Sequence, residues 1–143
     1  MATAPFSSNL TTHCFRLRPG QDLKKELLAY CQTHQLQAAC VLSSVGSVTK
    51  AFLRLSGGKI VSEFEGPFEI ISLNGTLSAA GIHLHMSISD FAGKVFGGHL
   101  MYGCEIFTTA EIVLGESSDL RFTRQMDDET GYGELVIDHA KKV

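Results

Sequence analysis

One stretch of this chain carries strong helical periodicity, and that restricts the fold more than any other feature. In QDLKKELLAYCQTHQL, Gln21 to Leu36, the residues Leu23, Leu27, Tyr30 and Cys31 recur at the spacing that lines one face of a helix. Asp22 stands where a capping side chain accepts from free backbone N–H groups. Lys24, Lys25, Glu26 and Gln32 fill the wet face. The pattern predicts a helix from Asp22 to about His34, with Leu27 and Cys31 toward the core. Nothing in it looks chemical; His34 reads as a surface residue or a favourable charge at the helix C-terminus.

Elsewhere the texture is β-rich runs broken by glycine and proline. LTTHCFRL reads as a strand closed by Pro19-Gly20. AACVLSSVGSV and KAFLRL read as paired strands before the turn SGGK, and KIVSEFEG and FEIISLNGTL as two more, separated at Gly66-Pro67. A histidine-rich segment, CEIFTTAEIVLG and a last strand around GELVIDHA complete the chain. Many strands and one helix predict an α+β fold, an antiparallel sheet with the principal helix on one face. Residues 1–9 are small and polar and read as a frayed, disordered tail, leaving residues 10–143 as one domain.

Composition narrows the function. At 143 residues the chain is about one domain long and can bury roughly 70% of its unfolded surface. Its 12 Lys and Arg are scattered and the net charge is −3, so it offers no electrostatic grip on nucleic acid. Cys14, Cys31, Cys40 and Cys104 form no C-x-x-C pair, and three of them sit beside apolar or β-branched residues, as reduced buried thiols do. MATAPFSSNLTTH has neither a charged nor an apolar leader segment, and no apolar run approaches the ~20 residues of a membrane span. A cytoplasmic protein with access to a nucleus is expected.

The chemistry concentrates in GIHLHMSISDFAGKVFGGHL, Gly81 to Leu100, which holds three of the six histidines. Residues two apart on a strand share a face, so His83 and His85 lie with Ser87 and Ser89, while Leu84, Met86 and Ile88 face the core. With a four-residue loop, Asp90 to Gly93, His99 falls opposite Leu84 on the wrong face. One residue of shift brings it opposite His85, and Gly97-Gly98 is where a bulge would supply that residue. Three imidazoles with an open fourth position suit zinc. Partly buried histidines satisfied by their neighbours are the other reading of the same spacing.

Glu105, Thr109 and Glu111 share a face of the following strand, and Glu111 lies among apolar residues. A carboxylate there would orient a histidine or act as a general base; a surface or edge glutamate is the alternative. Ser87, Ser89 and Asp90 lack a G-x-S-x-G elbow, which argues against a hydrolase triad. Gly57-Gly58 and Gly97-Gly98 open no phosphate-binding helix. Arg54 reads as exposed or paired, with an anion contact as the alternative.

In order, RLRPGQDL, AACVLSSVGSVTKAFLRL, GPFEIISLNGTL, HLHMSISDFAGKVFGGHL, TTAEIVL and TGYGELVI resemble the plants-and-prokaryotes-conserved (PPC) domain family, from about Phe15 to Ile137. The resemblance implies a compact α+β domain that assembles into a homotrimer. It also implies a metal site at the H-L-H and G-G-H elements, here His83, His85 and His99, with Zn2+ the expected ion. Plant relatives bind A·T-rich DNA through an attached AT-hook, whose R-G-R-P core is absent from this sequence. The implied protein is a stand-alone PPC member, enzymatic or not, of unspecified small-molecule ligand. A trimeric scaffold, or a DNA-associated regulator acting through a partner, is the alternative.

Overall fold

In the computed structural model, which describes residues 5–140, the chain forms an α+β fold with one helix and eight strands among the described residues. Helix α1 (Leu23–Thr33) starts at Asp22, whose extended backbone lets Oδ1 accept from the Lys25 N–H at 2.9 Å. The other carboxylate oxygen accepts from the Gly103 N–H, which ties the helix start to a distant loop. Leu23, Leu27 and Cys31 are fully buried on the inner face, as their periodicity requires.

Six antiparallel strands make the main sheet: β1 (Leu10–Leu17), β2 (Ala39–Arg54), β3 (Val61–Ser78), β4 (Gly81–Ser89), β5 (Val95–Leu100) and β6 (Glu105–Ser117). Their order is β1-β6-β2-β3-β4-β5. The long central strand β2 pairs with β6 on one edge and β3 on the other, and its last residues also meet β5, Leu53 opposite Leu100 and Arg54 opposite His99. The sheet therefore curls back on itself. The helix packs on β3 and β6 over a core that includes Leu53, Leu84, Met86, Ile88, Leu100 and Ile106.

The fold corrects three expectations. AACVLSSVGSV and KAFLRL form one strand, because ladders on both edges carry β2 through its irregularities at Leu42, Ser47 and Thr49. KIVSEFEG and FEIISLNGTL are likewise one strand, running through the cis Gly66-Pro67 bond. There Gly66 and Pro67 stand against Thr49 alone, which makes a bulge rather than a break. The segment before GELVIDHA contains an additional strand, β7 (Leu120–Met126), which forms a hairpin with β8 (Gly133–His139). Of the tail, Pro5–Asn9 has no regular secondary structure, and residues 1–4 lie outside the described residues.

Leu27 is the direct test of this packing. Leu27→Asp places an unpaired charge where no water reaches, so urea unfolding is expected to show a loss of about 4 kcal/mol, against about 3 for Leu27→Ala. An aspartate variant that unfolds at the wild-type midpoint would remove α1 from the core.

Candidate metal centre

The alternation of β4 separates two kinds of work. Leu84, Met86 and Ile88 are buried in the core, while His83 and His85 project from the other face. On β5, His99 stands directly opposite His85, so all three imidazoles share that face. The ring centroids of His83 and His99 are 4.9 Å apart, those of His83 and His85 5.3 Å, and those of His85 and His99 5.6 Å. One nitrogen from each ring can be chosen so that all three lie within 4.8 Å of one another.

The register that achieves this differs from the expected one. Ser89 pairs with Val95, and the ladder then runs without interruption to His85 and His99. The added residue is in the turn, Asp90 to Lys94, and there is no bulge at Gly97-Gly98. The Asp90 side chain holds that longer turn by accepting from the backbone N–H groups of Ala92 and Lys94, each at 2.9 Å. The glycines serve close approach instead. A Cβ at Gly97 would lie 2.5 Å from the Met86 carbonyl oxygen, and one at Gly98 would lie 2.7 Å from that of Arg54. Any larger residue would push β5 away from β4 or β2.

The histidines form part of the wall of a cavity of about 920 Å³. Its other walls include Arg54 at the end of β2, the glycine turn Gly57-Gly58, and Arg124, Tyr132 and Glu134 from the β7–β8 hairpin. Arg124 Nη2 donates to Thr76 Oγ1 at 2.9 Å, and Nη1 lies 3.3 Å from His83 Nδ1, which accepts its N–H. Lys24 of α1 does not line the cavity but places its charge near His99, donating to the Leu100 carbonyl at 2.9 Å.

Partial burial and these cations disfavour the protonated forms of His83 and His99. Burial first, then the Arg54 and Lys24 charges, lowers the His99 pKa to about 4. Burial and then the Arg124 guanidinium lower that of His83. His99 Nδ1 is buried and has no hydrogen-bond partner among the described residues. An unpartnered ring nitrogen beside two more imidazoles is a donor set that fits a divalent metal.

The remaining candidates fall elsewhere. Glu111 is exposed on β6, opposite Arg16 of β1 and Val45 of β2, and does not line the cavity. The carboxylate on the cavity wall is Glu134, whose Oε1 accepts from Thr130 at 2.9 Å. His34 packs on Tyr30, and His139 on Phe6. His13 hydrogen-bonds Glu116 Oε2 at 3.0 Å. Ser87 hydrogen-bonds Ser72 across β3 and β4. Arg124 is a site residue that the sequence pattern does not single out, because its strand is not marked either. The signal for that strand lies in the turn residues Asp127 to Gly131, between a run that alternates and GELVID.

Residues 5–118 match the Plants and Prokaryotes Conserved (PCC) domain. The chain belongs to this family. A hypothetical protein from Salmonella enterica has the same fold, with a TM-score of 0.91 and 42% identity over 94% of this chain and 97% of its own. The metal-containing protein AF0104 from Archaeoglobus fulgidus superposes with a TM-score of 0.77 at 26% identity, over 95% of this chain and 99% of its own. Bifunctional protein GlmU of Synechococcus sp. (strain JA-3-3Ab) is 46% identical over 132 residues, 92% of this chain. The chain spans about a fifth of the length of such GlmU relatives (21% and 20%).

The His99 shift gives a pH dependence with a definite sign. An unfolded chain protonates this imidazole near pH 6.5, the folded one only near 4, so between them the unfolded state binds more protons. Stability of the metal-free protein is therefore expected to fall as pH drops from about 6.5 toward 4. Thermal melting in the presence of a chelator should show this slope, and His99→Gln should flatten it. An equal slope in the variant would place the His99 imidazole in water.

Proposed function

We propose that this chain is a metal-binding member of the PCC family, in which His83, His85 and His99 hold one divalent ion on the cavity wall. The convergence of three imidazole donors from two paired strands carries the reading. Imidazole nitrogen suits zinc, copper and nickel, and cellular availability favours zinc. The metal-containing relative from Archaeoglobus supports the same conclusion. Once bound, such an ion supplies a Lewis acid at the cavity surface. The chain's own residues do the rest. The β4–β5 ladder fixes the spacing of His85 and His99, burial with the Arg54 and Lys24 charges disfavours protonated His99, and the β7–β8 hairpin walls the site.

Metal analysis of protein purified without a histidine tag tests the site. Wild type is expected to retain one zinc per chain, and alanine at His83, His85 or His99 to lower occupancy, while His34→Ala and His139→Ala leave it unchanged. Affinity should weaken as pH falls toward about 4, where protons compete for His99 in the folded chain. Wild-type protein that stays metal-free after exposure to zinc would end the proposal.

The proposal includes the homotrimer implied by the family resemblance. The face of β2, β3 and β6 turned away from the core leaves Val45 and Ile71 each 54% exposed and Phe107 45% exposed. Packing between copies is one way to cover such a face. Light scattering should report three times the 15.5 kDa chain mass. A stable monomer at micromolar concentration would overturn the assembly.

A further inference from the structure

Three cationic side chains surround the histidines, and two of them, Arg54 and Arg124, line the cavity. Neither arginine has a carboxylate partner among the described residues, whose ion pairs are His13–Glu116, Lys50–Glu105 and Arg121–Asp138. Glu134, the acid on the wall, is engaged by Thr130. Two guanidinium groups on a cavity wall that holds one acid, neither in contact with it, are matched to oxygen anions, which they bind through paired N–H donors.

The contact between Arg124 and His83 adds a second argument. Nδ1 of His83 accepts from the guanidinium at 3.3 Å. A metal on Nδ1 takes that lone pair. A metal on Nε2 leaves the proton on Nδ1, which then faces the guanidinium as a second donor. Either way, metal binding removes one of Arg124's acceptors. A negatively charged oxygen replaces it at the least cost.

We infer that the cavity receives a small molecule bearing an oxyanion, a carboxylate or a phosphate, clamped by Arg54 and Arg124 beside the metal. The inference rests on the three-histidine metal reading and deepens it. Metal and anion bind cooperatively, because the metal frees the Arg124 donor that the anion uses. By linkage the anion must also tighten the metal. The small walls at Gly57, Gly58, Gly97 and Gly98, with the Tyr132 hydroxyl, suit a compact polar ligand rather than a long apolar one.

Cobalt-loaded protein provides a test that needs no known reaction. Titration with malonate and, separately, with inorganic phosphate is followed through the visible cobalt spectrum, at constant ionic strength set with chloride. A saturable change at low millimolar concentration or below is expected for at least one of them, and which one names the anion class. Arg54→Gln and Arg124→Gln should each raise the half-saturation by about tenfold or more, the loss of one charged hydrogen bond. Both variants should still bind cobalt at least as tightly as wild type without the anion, since each removes a repelling charge. Arg124 also braces the hairpin against Thr76, so Arg54→Gln decides the case if Arg124→Gln melts early. An unchanged half-saturation in Arg54→Gln, or no spectral response to either anion, overturns the inference while leaving the metal site intact. If wild type binds no cobalt, the metal reading and the coupling fail together. Thermal stabilisation of the metal-free protein by either anion, lost in Arg54→Gln, would then support the clamp alone, and its absence would remove it.

Discussion

The site depends on one short pairing, in which the end of β2 meets the end of β5. Leu53 opposite Leu100 buries two leucines completely, and the next pair outward sets Arg54 beside His99. The two pairs are consecutive, so they point to opposite faces of the sheet. The leucine pair anchors the curl with apolar burial, and the polar pair inherits its position from that anchor. Backbone contact this close is available because Gly98 has no side chain to strike the Arg54 carbonyl. The hydrophobic effect, acting on the inner face, thus fixes a charged arrangement on the outer one.

The electrostatics of that outer face are unusual for a chain of net charge −3. Arg54 and Arg124 line the cavity from β2 and β7, Lys24 adds charge near His99 from α1, and Glu134 is the one acid on the same wall. Such a concentration of cations opposes protonation of His83 and His99. It also opposes a divalent metal, whose binding must overcome the same repulsion. Neutral imidazoles and a bound anion are the two compensations this geometry offers. The first is present in the lowered pKa values of His83 and His99.

Local rules make part of this arrangement legible in the sequence. The period of α1, the Asp22 cap and the two faces of β4 follow from side-chain spacing over a few residues, and each is found as expected. That His99 shares the face of His85 is also legible, but its cause is not. The extra residue lies in the Asp90–Lys94 turn, which Asp90 closes with its side chain, and sequence cannot tell that from a bulge at a glycine pair. Strand lengths escape the sequence for a related reason. Thr49, Gly66 and Pro67 fall where the pattern breaks locally, yet the pairing of β2 on both edges outweighs them. Glu111 stands out through apolar neighbours in the sequence, but those neighbours point inward while it faces out toward Arg16.

Arg124 shows where reading by segment reaches its limit. Its strand is polar, with no face buried throughout, so periodicity marks nothing functional there. Its significance comes from Thr76 and His83, which stand opposite each other on β3 and β4 and offer the guanidinium two acceptors side by side. That pair of contacts, with the Phe122 N–H donated to the Gln37 carbonyl at 2.9 Å and the buried Leu120, docks a two-stranded sheet, too small to be stable alone, on the rest of the fold. One side chain therefore joins the hairpin to the sheet and adds charge to the site. A ligand that draws Arg124 away from His83 leaves it the Thr76 hydroxyl, so the hairpin keeps a tether while the donor turns to the cavity. The division of its two nitrogens between bracing and binding is what lets a rigid sheet carry an adaptable wall.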